Sequence, residues 1–282
     1  MTRILRVSGG LGLLMLGVMG PAAAQVTIGA DAGLNSRYMF WGLTLSNRPV
    51  VQPDVWLSAA GFTAGVWANV ELTKDGGGSD LTSGGSRTGV TEVDYWLEYG
   101  RTVATADVKV GVILWTYPKS NTGTLGPCVP DCGIPNNGPD VNSTEIYGAV
   151  TFSSLPLSPN ITAYYDVDLY KGLFGWVSLS HSIPVATKSV DLTGLMGYCT
   201  AMSNTGASQL PLYAKHGITH FDFAAAVPLT LGSVSVNPNA HFQVNVVDDT
   251  KFTSATQANG KTVFTFGVTL SWSRDLGSTV SE

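Results

Sequence analysis

Residues able to do chemistry are few and scattered in this sequence. The four histidines are His181, His216, His220 and His241. Only His181 stands between hydroxyls, in Ser180-His181-Ser182. A nucleophile needs its base within hydrogen-bond reach, and adjacent residues of an extended strand point to opposite faces. That triplet therefore makes no catalytic chain by itself, and a lipid hydrolase is the weakest functional expectation. Cys128 and Cys132 lie in GPCVPDCG. This spacing in a Pro/Gly-rich loop suggests a small disulfide in an oxidising compartment. No histidine lies near enough to complete a metal site. Cys199 reads as a small packing residue. GGGSD and SGGS read as flexible loop with no phosphate-binding signature, since no helix follows them. The sequence thus points to no catalytic residue, no metal and no cofactor.

Carboxylates are the more informative group. The chain carries 20 acidic and 15 basic residues, and only 12% of it is charged, about half the usual share. Its start reads as a secretory signal peptide over 1–24: Arg3 and Arg6, an apolar run from Leu11 to Met19, then Ala22-Ala23-Ala24. Cleavage there would leave a domain at 25–282 with 13 basic residues against 20 acidic. A negative balance argues against a nucleic-acid partner.

The elements that must position these charges repeat with period two. Val26, Ile28, Ala30, Ala32 and Leu34 share one face, with Thr27, Gly29, Asp31, Gly33 and Asn35 on the other. Phe62 to Val70, Val93 to Tyr99, Val108 to Val112, Ile161 to Val167 and Phe264 to Trp272 alternate in the same way. Such alternation marks strands with one apolar and one polar face. Twelve segments are expected, near 26–41, 54–60, 62–72, 91–99, 105–117, 144–152, 161–169, 173–183, 190–200, 218–227, 233–245 and 261–273. Short and long connections alternate between most of them, and several reach the about 9–11 residues that span a bilayer when tilted. The expected fold is all-β, an antiparallel up-and-down transmembrane barrel of 12 strands. Its apolar faces meet outer-membrane lipid and its polar faces line the interior.

This phasing assigns Asp31, Glu71, Glu92, Asp94, Glu98, Asp107, Glu145, Asp166, Asp168, Asp191 and Asp222 to the lumen, with only Arg37 and Lys109 as bases. The rings Tyr38, Phe40, Trp41, Phe62, Tyr99, Trp115, Tyr117, Phe264 and Trp272 fall at strand ends, where aromatic girdles sit at membrane–water interfaces.

At this point the chain resembles the TorF-type porins of bacterial outer membranes. Ser36, Tyr38, Phe40, Gly42, Thr44 and Ser46, then Pro49 and Gln52, follow that family's N-terminal pattern, with Trp41 in place of its arginine. TEVDYWLEYG, STEIYGAVTF, PLSPNITAYYDVD and VSLSHSIP follow in the family's order. The resemblance implies a Gram-negative outer-membrane porin. The expected function is passive transport of small hydrophilic solutes, with cations preferred because a charged ring in a narrow tube selects by sign. The alternative is a structural or surface-adhesion barrel with a plugged lumen. The solute and the oligomeric state stay open.

Overall fold

Alternating side chains make a closed barrel when each polar edge finds a partner and the last strand returns to the first. The computed structural model describes residues 25–73, 89–116, 142–168, 170–202, 213, 215–246 and 261–277. Every regular element among them is a strand. The wall is built from β1 (Val26–Asn35), β4 (Val50–Ala59), β5 (Phe62–Glu71), β6 (Gly89–Val103), β7 (Ala106–Thr116) and β8 (Ser143–Thr151). It continues through β9 (Asn160–Asp166), β10 (Leu173–Val185), β11 (Lys188–Cys199), β12 (Gly217–Ala226), β14 (Val234–Asn245) and β15 (Thr262–Leu276). Neighbours in sequence pair antiparallel, β12 pairs with β14, and β1 pairs with β15 from Val26↔Leu276 to Asn35↔Gly267. The barrel is therefore closed, with 12 strands in its wall. β13 (Leu229–Leu231) extends β12 past a break at Val227-Pro228, where Val227 N donates to Pro238 O at 3.0 Å.

The wall sorts its side chains as an inside-out protein must. Outward positions are large and apolar: Leu57, Val66, Leu97, Ile146, Ile161, Val177 and Phe223 are all exposed, and Val110 is 55% exposed. Inward positions hold Asp54, Asn69, Glu92, Thr162, Thr193 and Gln243, all buried. An exposed apolar belt around a polar interior is the arrangement that hydrocarbon surroundings favour, since closure satisfies every backbone ladder internally.

Inside the wall, large rings face glycines on the next strand. Trp56 pairs with Gly29, Trp96 with Gly65 and Tyr147 with Gly111. A methyl added at Gly65 would stand 2.5 Å from the Trp96 ring, and one at Gly29 would stand 2.2 Å from Trp56. Each ring therefore lies flat over its neighbour, and only a residue without a side chain fits beneath it.

One element departs from the expected strand map. The first strand stops at Asn35 and does not run to residue 41. β2 (Tyr38–Phe40) and β3 (Leu43–Ser46) form a separate two-stranded sheet between β1 and β4. Trp41 and Gly42 form its turn with φ of 49° and 89°, as a type I′ hairpin requires. Tyr38 is 0% exposed, Phe40 8% and Trp41 9%. These rings are not in an outer girdle; the hairpin turns into the barrel.

Candidate functional site in the barrel lumen

The hairpin crosses the lumen. Its first strand lies near β5 and β6: the Tyr38 ring is 5.8 Å from Trp67, and Tyr38 Oη donates to Glu92 Oε2 at 2.6 Å. Phe40 packs edge-on against Trp115 of β7, with centroids 5.1 Å apart. Trp41 stacks on Phe40 at 4.4 Å and on Phe174 of β10 at 4.5 Å. At the tip, Gln243 Nε2 of β14 donates to Gly42 O at 2.8 Å, and Tyr213 Oη donates to Trp41 O. A Cβ on Gly42 would come within 2.5 Å of His220 Nδ1 on β12. Around the barrel, β5 and β6 stand across from β12 and β14. One hairpin thus reaches across the lumen from β6 to β14.

The carboxylates expected in the lumen separate into groups. Glu71, Glu92, Asp94, Glu145 and Asp166 are all buried, on the parts of β5, β6, β8 and β9 nearest the long connections. Glu71 and Glu92 bond the hairpin directly. Ser46 Oγ donates to Glu71 Oε2 at 2.8 Å, and Ser143 Oγ to Asp166 Oδ2 at 2.6 Å. A polar ladder links them to the first strand: Asn35 Nδ2 donates to Gln52 Oε1, Gln52 Nε2 to Asn69 Oδ1, and Asn69 Nδ2 to Glu71 Oε1 and Thr91 Oγ1. Asp31, Glu98, Asp107 and Asp191 are partly exposed. Asp31 Oδ2 accepts from Trp56 Nε1 at 3.0 Å, and Glu98 takes Lys109 Nζ and Tyr147 Oη, each at 2.8 Å. Asp222 is buried beside His241, whose Nδ1 lies 2.8 Å from Asp222 Oδ2. Arg37 is partly exposed in the bend that starts the hairpin.

Two assignments change. Asp168 is exposed on the bend after β9 and is not a wall residue. Trp115 is 3% exposed and faces inward against Phe40, not the lipid boundary. Both rings and carboxylates follow the strand's true phase, and at Trp115 the inward direction leads into the hairpin's aromatic cluster. Phe62, Tyr99, Phe264 and Trp272 are exposed on the outer surface, with the Phe62 and Tyr99 rings 4.8 Å apart. Tyr117, Cys128 and Cys132 lie outside the described residues, as do residues 1–24.

Sequence phasing passed over three inward groups. Asp54 is buried and accepts from Trp96 Nε1 at 3.4 Å, while His220 and His241 are buried on β12 and β14. Alternation with Trp56 and Ser58 marks Asp54 as inward; it opens the expected segment 54–60, whereas β4 begins at Val50. Ser180 Oγ lies 3.0 Å from Thr193 Oγ1, whereas His181 is exposed. The Ser-His-Ser triplet is therefore split across the wall. Among the described residues no cluster of three or more histidine, cysteine or acidic side chains could hold a metal ion.

At the long-connection end two phenols stay protonated. Burial pushes the Tyr170 hydroxyl up to about 12, helped by the nearby Asp166 and Glu145 charges. Burial also raises Tyr213 well above its ordinary value, with Cys199 adding a smaller push. Tyr213 therefore remains a hydrogen-bond donor to the hairpin.

A model of a bacterial protein family of unknown function, Gcw_chp, matches residues 20–269. The chain belongs to the Gcw_chp family. No curated protein matches it. The Gcw_chp barrel is similar to an outer-membrane channel from Pseudomonas putida F1, at 9% identity and a TM-score of 0.48, covering 91% of this chain and 97% of that one. It is also similar to the TodX monoaromatic hydrocarbon channel, at 8% identity and 0.42, covering 92% and 91%. A third likeness is to the β domain of the Bordetella autotransporter BrkA, at 12% identity and 0.38, covering 89% and 99%. At such identities and scores none of them transfers a function to this Gcw_chp member.

Proposed function

We propose that this Gcw_chp barrel is an outer-membrane channel for small hydrophilic solutes that prefers cations. On this reading it is a TorF-type porin, exported with 1–24 as a cleaved signal peptide. The observation that carries it is the sorting of charge: ten of the expected carboxylates and Asp54 sit on the inner side of the wall, against Lys109, while the outer side is apolar. Carboxylates inside low-dielectric walls raise the local concentration of cations. The order of the porin-like sequence motifs supports the same reading.

The test is a reversal potential across planar bilayers holding the purified barrel, with unequal KCl on the two sides. A potential of the sign set by K⁺ supports the proposal, and one set by Cl⁻ defeats it. A second reading, an occluded structural or adhesion barrel, draws on the hairpin's reach from β6 to β14. A folded barrel that carries no current even after the hairpin is removed would favour it.

A further inference from the structure

The geometry points to the β2–β3 hairpin as a hinged gate, latched at its tip. The inference rests on the channel reading and adds its regulation. The two feet of the hairpin are fixed. Ser36 N donates to Phe266 O at 2.9 Å, and Phe266 N donates to Ser36 Oγ at 3.1 Å. At the other foot, Leu72 N donates to Pro49 O at 3.4 Å. Both feet stand on the adjacent strands β1 and β4, so they define one edge about which the hairpin can swing.

Between the feet the attachment is of another kind. Tyr38–Phe40 and Leu43–Ser46 pair with each other, in a sheet separate from that of the wall. The hairpin keeps its own ladder, and the barrel keeps its own. A swing therefore breaks no sheet. It breaks side-chain contacts, and those farthest from the feet have the most leverage: Gln243 to Gly42 O, Tyr213 to Trp41 O, and the Trp41–Phe174 stack. The turn also holds Trp41 at φ 49°, a left-handed conformation unfavourable for any residue but glycine. Contacts at the tip must outweigh that cost for the hairpin to stay seated. Contacts nearer the feet, Tyr38 to Glu92 and Ser46 to Glu71, must part as well; a docked element with intact ladders on both sides can then take a second position, which is what a gate needs.

Single-channel recording in planar bilayers tests this, with heat-modifiable electrophoretic mobility confirming that each barrel is folded. Gln243→Leu removes the donor to Gly42 O. Gly42→Ala places a methyl 2.5 Å from His220 Nδ1 at a φ of 89°. A third variant replaces 38–46 with a Gly/Ser linker. The native barrel should show long closures broken by openings of one size. Losing one hydrogen bond should raise the open-to-closed ratio about five-fold in Gln243→Leu, with unit conductance unchanged. Gly42→Ala should raise it further, and the linker variant should conduct steadily. If both tip variants gate like the native barrel while the linker variant conducts, the hairpin is a fixed plug and the inference fails. Equal steady current from native and linker forms also overturns it. A folded linker variant that passes no current instead refutes the channel reading beneath it.

Discussion

Trp41→Ala separates the stability of the hairpin's seat from the stability of the wall. Trp41 is buried and stacks on both Phe40 and Phe174, with Trp115 and Tyr164 beyond at 6.5 and 5.9 Å. Truncating such a ring to alanine costs about 3–5 kcal/mol in a packed interior. The carbonyls of residues 41 and 42 keep their donors, each worth about 1 kcal/mol, so the loss is larger than what remains at the tip. Alanine at φ 49° inherits the backbone cost and gains nothing to offset it. At about 1.4 kcal/mol per factor of ten, docking should weaken by about a hundred- to several-thousand-fold. Hydrogen exchange followed by mass spectrometry reads this directly. Amides of 39–45 should lose protection, while those of β1, β4 and β15 keep theirs. Chymotrypsin should then cut at Tyr38 or Phe40 in a barrel that still migrates as folded. Unchanged protection in 39–45 would refute the energetic reasoning. Loss of protection throughout the wall would refute the claim that hairpin and wall are separate units.

Three further outcomes are expected. Gly65→Ala should lower thermal stability by about 1–3 kcal/mol, because the added methyl meets the Trp96 ring at 2.5 Å; thermal loss of β circular dichroism measures it. Val66→Arg, at an exposed outward position of β5, should cost about 2–4 kcal/mol of folding stability in a bilayer and far less in urea-soluble detergent comparisons at rim positions; folding titrations into lipid vesicles check this. The Tyr170 phenol, pushed up to about 12 in the fold against 10 ordinarily, contributes stability that is complete below pH 10 and disappears as pH rises through about 12. Absorbance at phenolate wavelengths, comparing native protein with Tyr170→Phe, should lose one late-titrating group.

The wall was legible in the sequence because lipid outside and water inside impose one rule on every strand. Val26 to Leu34, Phe62 to Val70 and Val93 to Tyr99 each keep that rule for a full crossing, and each of the twelve wall strands overlaps an expected segment, although the first ends at Asn35 and not at 41. The hairpin was not legible, for the same reason. Tyr38 and Phe40 continue the phase of Val26 to Leu34, so counting by twos places them in the girdle. In the structure the chain bends at Ser36-Arg37, and from there both faces of the ribbon are covered: Met39 and Trp41 are as buried as Tyr38 and Phe40. Alternation carries no information once neither face meets a different medium. Trp41-Gly42 also lacks the Asn-Gly or Asp-Gly signature that most clearly marks a type I′ turn. The inward carboxylates are legible where alternation runs long on both sides of them, whereas Asp54 opens the short expected segment at 54–60 and the strand in fact begins at Val50.

The rings that lie over Gly29, Gly65 and Gly111 have a consequence for the bore. Three of the bulkiest side chains in the barrel occupy its inner surface, and each lies over the backbone of a glycine on the next strand. How far these rings reach inward is therefore governed by the smallest residues of the wall. Enlarging any of those glycines would tip an indole or phenol toward the barrel axis and, on the channel reading, narrow its path, whereas trimming a ring would mostly leave a dent in the lining.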